Sequence, residues 1–135
     1  MKTIITFGTF DVFHIGHLRI LERAGQLGER LIVGVSSDAL NIEKKGRSPI
    51  YSQDERMGIV AGLKYVAGVF LEESLEQKAD YILRFNADTL VMGDDWAGRF
   101  DCFSHLCEVV YFPRTPSIST TSIIEVIKFK EDAVV

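Results

Sequence analysis

Thr3-Ile4-Ile5-Thr6-Phe7-Gly8-Thr9-Phe10-Asp11-Val12-Phe13-His14-Ile15-Gly16-His17 is the stretch that decides the fold of this chain. Its first half is apolar and β-branched, the composition of a buried strand. Its second half carries two histidines around a glycine. Directly behind it Leu18, Leu21, Ala24 and Leu27 recur at helical spacing, with Gly28 as the expected stop. A strand runs through a short polar turn into a helix.

The same alternation continues along the chain. Further strands are expected at Arg30–Ser36, Val69–Leu71, Thr89–Met92 and Glu108–Phe112. Between them, Ser52-Gln53-Asp54-Glu55 is a capping-box sequence that predicts a helix to about Tyr65. Leu75, Ala79, Ile82 and Leu83 form the stripe of another helix. A last helix follows Ser119-Thr120-Thr121 with Ile123, Ile124 and Ile127 facing inward. Such alternation predicts an α/β fold, a Rossmann-like three-layer sandwich with a parallel sheet of about five strands, in one domain over residues 1–135. The segment from Asn41 to Tyr51 is polar and basic and reads as a loop.

Composition narrows the function classes. The chain has 135 residues, 47% of them hydrophobic and 25% charged, with net charge −4. That is the balance of a globular domain, and without a long basic run it gives no basis for nucleic-acid binding. Met1-Lys2-Thr3 leads straight into the first strand, and no apolar run is long enough to span a bilayer, so a cytoplasmic protein without a membrane partner is expected. Cys102 and Cys107 read as reduced thiols, with no metal-ligand spacing around them.

In open parallel sheets, ligands sit beyond the carboxyl ends of the strands. His14 and His17, three residues apart, meet on one side of a helix N-terminus. Backbone N–H groups there attract phosphate, imidazole N–H groups add donors, and Gly16 lets a phosphate chain come close. At the other end of the chain Arg114 follows the last strand and offers a planar fork to phosphate oxygens. Ser119, Thr120 and Thr121 put hydroxyls at another helix start. Gly93-Asp94-Asp95-Trp96 reads either as a turn with a capping aspartate and a core tryptophan or as a wall of the site. Lys44, Lys45 and Arg47 are the basic cluster of the loop, while Arg56 faces either the site or solvent.

Gly8-Thr9-Phe10-Asp11 with His14-Ile15-Gly16-His17 resembles the signature of the nucleotidyltransferase superfamily. Arg114-Thr115-Pro116-Ser117-Ile118-Ser119-Thr120-Thr121 is similar to the second signature of its cytidylyltransferase branch. Val91-Met92-Gly93-Asp94-Asp95-Trp96 is most similar to the glycerol-3-phosphate cytidylyltransferases. The resemblance implies transfer of the cytidylyl group of CTP to a phosphorylated alcohol, with glycerol 3-phosphate the expected one, giving CDP-glycerol and pyrophosphate for cell-wall or surface-polymer precursors. It places Thr9, Phe10, His14, Ile15, Gly16, His17, Arg47, Gly93, Asp94, Arg114, Thr115, Ile118, Ser119, Thr120 and Thr121 at the nucleotide. Asp11, Lys44 and Lys78 fall to the phospho-alcohol, and Lys45 or Arg47 to the triphosphate. His14, His17, Lys44 and Arg114 carry the catalysis.

The resemblance also implies a homodimer, and Mg²⁺ arriving with CTP rather than held in a protein-built metal site. Asp11 is the carboxylate nearest such an ion, or else it orients a neighbouring group. The chain departs from the subfamily at Ile15, where tryptophan is common, and at Pro116-Ser117, where an acidic residue and glycine are usual. Lys64 and Ala67 stand where arginine and aspartate are found near the subunit contact. Other phospho-polyols, phospho-amino-alcohols and sugar phosphates therefore stay as alternative co-substrates, ATP as an alternative nucleotide, and nucleotide binding without turnover as a remote alternative.

Overall fold

The apolar run at the N-terminus is the centre of the sheet. In the computed structural model, which describes residues 1–115 and 118–134, Thr3–Gly8 forms strand β1. It pairs in parallel on both sides, with Ile4 opposite Leu31 on one flank and Thr89 on the other. A strand buried on both faces is mostly apolar: Ile4 and Ile5 are both fully enclosed, and the buried Thr6 hydroxyl donates to the Val91 carbonyl. The remaining strands are β2 (Arg30–Ser36), β3 (Gly68–Glu72), β4 (Thr89–Gly93) and β5 (Glu108–Phe112), in the order β3-β2-β1-β4-β5, all parallel. The order reverses beside β1, so a crevice opens there at the carboxyl ends of β1 and β4.

Helices α1 (Ile15–Gly25), α2 (Asp38–Lys45), α3 (Gln53–Ala61), α4 (Lys78–Arg84) and α5 (Thr120–Val134) connect and flank the strands. One core gathers Ile4, Leu21, Ala24, Leu31, Val33 and Val60, joining β1 and β2 to α1 and α3. The opposite face packs Ile5, Phe7, Leu90 and Met92 against Tyr81 and Ile82 of α4. Two apolar faces covered by helices make the expected three layers. Each fully buried aliphatic side chain contributes about 1.5–3 kcal/mol.

The strands match the sequence expectation to within a residue at each end, but several helices do not. The first helix ends at Gly25, where the Gln26 N–H closes onto Ala24 and Glu22, so Leu27 and Gly28 lie in the turn to β2. The Ser52 helix stops at Ala61, capped by Gly62, four residues short of Tyr65. Half of the expected stripe of the next helix holds, with Ile82 buried and Ala79 half-buried, but Leu75 precedes α4 and is exposed, as is Leu83. The face of α4 that packs inward is Lys78, Tyr81 and Ile82. Ile123 and Ile124 of α5 are half-buried, but Ile127 is exposed.

The segment from Asn41 onward also departs from the loop expected. Ser37 caps α2 by accepting from the Leu40 N–H, and Gly46 closes the helix at φ 74°, a left-handed conformation that suits glycine. Lys44 and Lys45 are thus the last turn of a helix, where cations oppose the negative end of its dipole. Arg47 lies exposed just beyond it.

Candidate active site

The β1–α1 turn is shaped by its own hydrogen bonds. Phe10 and Val12 both adopt positive φ, 55° and 46°. For a β-branched residue such as Val12 that backbone is strained, and it persists only where the surroundings over-determine it. Asp11 supplies the constraint. Its Oδ1 accepts from the N–H groups of Val12 (3.1 Å) and Tyr51 (2.9 Å), and its Oδ2 from that of Ile50 (2.8 Å). Its carbonyl accepts from the Thr120 hydroxyl at 2.9 Å. Asp11 is therefore a tether joining the turn, the 50–51 segment and α5, and both its oxygens are engaged.

The two histidines are held at the start of α1. His14 is the N-cap, and its Nδ1 accepts from the Gly16 N–H at 3.0 Å. His17 Nδ1 accepts from the His14 N–H at 3.2 Å. An acceptor nitrogen carries no proton, so each ring is neutral with its hydrogen on Nε2. The rings stack at 3.8 Å, and His17 sits between Phe10 and Phe13. Burial first, then the neighbouring His14, lowers the pKa of His17 to about 4, Asp11 opposing and Arg114 adding to the fall. Burial and Arg114 lower that of His14. Two neutral N–H donors thus stand at the positive end of a helix. Gly16 is required by this arrangement, because a Cβ there would lie 2.8 Å from His14 Cε1 and 3.3 Å from Ile118 Cγ2.

That last contact shows how the C-terminal stretch reaches the first. Ile118 lies against Gly16, and Thr120 is bonded to the Asp11 carbonyl. Ser119 accepts from the Ser122 N–H while Ser122 Oγ accepts from that of Ser119, a reciprocal cap on α5. Thr121 is exposed and Thr115 half-buried. Pro116 and Ser117 lie outside the described residues. Arg114 pairs with Asp95 at 3.1 Å, with both side chains about half exposed. A pair so solvated contributes about 0–1 kcal/mol, so Arg114 is free to turn to an incoming anion. Arg114 and Thr115 also line an open groove with Arg19 and Arg23 of α1.

Gly93 ends β4 and Asp94–Trp96 makes one 3-10 turn. Trp96 is 38% exposed, which excludes the core role, and it packs on Phe100 with Arg99 over its ring. Thr9 donates to Asn41 Oδ1 at 3.0 Å and lies 3.1 Å from Ser36 Oγ. Ile15 is exposed at the helix start, and Arg47 at the rim.

Lys78 reaches the carboxylate of Glu72, and Lys44 stands exposed in the last turn of α2. Lys78 is 2% exposed and bonds Glu72 Oε2 at 2.9 Å. Partial desolvation lowers the pKa of Lys44 while Glu72 raises it and Lys45 lowers it. Sequence reasoning missed Glu72, although a carboxylate closing an apolar strand was a visible signal. It also missed Asn41 and misjudged Arg56, which is fully buried rather than facing site or solvent. Arg56 donates to the carbonyls of Thr9, Ser36 and Tyr51 and to Asp38 at 2.7 Å. It joins the ends of β1 and β2 to α3. Nothing in its spacing announced this, since the acceptors are mostly backbone.

Among the described residues, no three His, Cys, Asp or Glu side chains gather as a metal-ligand set. The donors that converge here are N–H groups and cations, which suit phosphate oxygens.

Comparison with known proteins agrees with this chemistry. The profile of the cytidylyltransferase-like family matches residues 5–126. A glycerol-3-phosphate cytidylyltransferase from Bacillus subtilis (strain 168) is 48% identical over 93% of this chain and 96% of its own. One from Staphylococcus aureus (strain NCTC 8325 / PS 47) is 42% identical over 91% and 92%. A bifunctional HldE protein from Campylobacter concisus is 37% identical, though the match covers only 27% of its length. In fold the chain is similar to a lipopolysaccharide core biosynthesis protein from Thermoplasma volcanium, with TM-score 0.75 and 22% identity over 85% of this chain and 98% of that one. The match begins in the central strand, takes in the paired histidines and ends in the helix tethered to Asp11, and on that evidence the chain belongs to the cytidylyltransferase-like family.

Proposed function

We propose that this protein transfers the cytidylyl group of CTP to glycerol 3-phosphate, giving CDP-glycerol and pyrophosphate. The observation that carries the reading is the 48% identity, over nearly the full length of both chains, to an enzyme of that name. A phosphate oxygen of glycerol 3-phosphate attacks the α-phosphorus of CTP. The α–β phosphoanhydride bond breaks, and its electron pair leaves on pyrophosphate. The nucleophile is already anionic, so the protein's task is positioning and charge stabilisation.

His14 and His17 suit that task. Their Nε2–H donors need no reorganisation, since both Nδ1 atoms are already bonded to backbone, and they face charge that grows on the α-phosphate and the leaving group. Arg114 exchanges its solvated partner Asp95 for phosphate oxygens. Lys44 and Lys78 receive the phosphate of the alcohol, and Lys45 or Arg47 the triphosphate. The hydroxyls and N–H groups at Ser119, Thr120 and Thr121 close the nucleotide side. Asp11 acts through its tether to Ile50, Tyr51 and Thr120. When bound with the triphosphate, Mg²⁺ would supply further neutralisation of phosphate charge, with no ligand set of three His, Cys, Asp or Glu side chains among the described residues to hold it.

The same reading makes the protein a cytoplasmic homodimer that feeds CDP-glycerol to cell-wall or surface-polymer assembly. No helix among the described residues is long and apolar enough to cross a membrane. Pyrophosphate release, measured for CTP and ATP against a panel of phospho-alcohols, tests the substrates. CTP with glycerol 3-phosphate is expected to have the highest kcat/KM; a higher value for ATP or for another phospho-alcohol replaces the assignment.

A further inference from the structure

Glu72 is the last residue of β3, at the end of the sheet where ligands sit, and it is 2% exposed. Its Oε2 accepts from Lys78 Nζ at 2.9 Å, with both side chains 3% exposed. Taking two charges out of water is unfavourable, and apolar residues of the same volume commonly serve stability as well or better. Stability alone gives no reason for the pair. Its setting gives another. The Lys78 ammonium lies 3.8 Å from the centre of the Phe7 ring and 5.1 Å from that of Phe100. Aromatic faces attract the charge but leave its hydrogens free of competing acceptors. Among the described residues, Glu72 is the hydrogen-bond acceptor of this ammonium, which has three N–H groups.

Lys44, in the last turn of α2, is the second cation of the cluster. Glu72 attracts it, and its charge reaches Lys78. The Glu72–Lys78 pair is neutral in sum, so the exposed Lys44 ammonium supplies the unbalanced positive charge of this region. That excess fits a phosphate.

We infer that Glu72 is a positioning residue for the phospho-alcohol: its carboxylate fixes the buried Lys78 ammonium, and Lys78 together with Lys44 presents donors to the phosphate of that substrate. This rests on the reading of Lys44 and Lys78 as phosphate contacts. Burial works against the charged form of Lys78 and Glu72 works for it. Without the carboxylate the amine has neither a fixed place nor a partner that keeps it protonated, and phosphate binding weakens.

The test compares wild type with Glu72→Gln, Lys78→Met and the double variant Glu72→Met/Lys78→Met, using KM for glycerol 3-phosphate and for CTP together with Tm. Glu72→Gln is expected to raise KM for glycerol 3-phosphate about tenfold, the loss of one charge-assisted hydrogen bond, and to leave KM for CTP within about twofold. The double variant should be no worse than Lys78→Met, because both changes act through one ammonium, and its Tm should match or exceed that of wild type. An unchanged or lower KM for glycerol 3-phosphate in Glu72→Gln, with Lys78→Met impaired, overturns the inference. So does a rise in both KM values that tracks lost Tm, which marks a merely structural pair. A wild-type protein inert toward every phospho-alcohol sinks the proposed function and this inference with it; an active wild type with a flat Glu72→Gln sinks only the inference.

Discussion

His14 and His17 lie ring over ring, centroids 3.8 Å apart and planes 24° from parallel, because each commits its Nδ1 to a backbone N–H of the same helix start. Protonating either ring would turn that acceptor into a donor facing another donor. The pair is therefore built to stay neutral.

A histidine titration followed by NMR checks this directly. His17 should show a midpoint near 4 and His14 one below 6.5. The sign for stability follows from linkage: the unfolded chain takes up its proton near 6.5 while the folded one resists. Folding stability should thus fall as pH drops from about 6.5 toward 4, by on the order of 3 kcal/mol for His17. A midpoint for His17 at or above 6.5 contradicts the assigned hydrogen bonds.

His17→Ala removes one preorganised donor aimed at developing charge. Turnover should fall about 10²–10³-fold. The circular dichroism spectrum should match wild type, since the sheet does not depend on the ring. Near-normal turnover would exclude the role.

Gly16→Ala acts on the other donor, His14, from behind. The added methyl would meet His14 at 2.8 Å and must displace the imidazole or the Ile118 side chain. Turnover is expected to drop by about tenfold or more, as misplacement of a catalytic group does. Steady-state rates beside Tm separate this from unfolding; the prediction fails if both stay at wild-type values.

Arg56→Met strips donors from three backbone carbonyls and leaves Asp38 without its cation. Breaking such a buried charged network should destabilise the fold by about 3–5 kcal/mol, read from urea unfolding. A single ammonium cannot span those acceptors as the planar guanidinium does, so Arg56→Lys should recover little. A loss below about 1 kcal/mol would show the network to be redundant.

The sheet was legible because its signal is local. Five short apolar runs, each bounded by polar turns, can only be buried strands in a chain of this length, and β1 could be read nearly to its ends. The paired histidines were legible for the same reason, since three residues of helix bring them together. Helix ends were less so: Gly28 and Tyr65 were reasonable stops, but the chain turned earlier to meet the next strand. The burial of Lys78 could not be read, because it depends on Glu72, Phe7 and Phe100, which only the folded sheet assembles around it. Asp11 and Arg56 share that property. Most of their partners are backbone groups, several of them 39 to 47 residues away, and no side-chain pattern encodes those.

The central claim is attack on the α-phosphorus of CTP by glycerol 3-phosphate, and ³¹P NMR of the purified protein with both substrates and Mg²⁺ tests it most directly. The account predicts that two coupled diphosphate resonances of CDP-glycerol grow in step with pyrophosphate, in equal amounts, as CTP and glycerol 3-phosphate disappear. CTP left intact by a folded protein, or cleaved to CDP and inorganic phosphate, would contradict it.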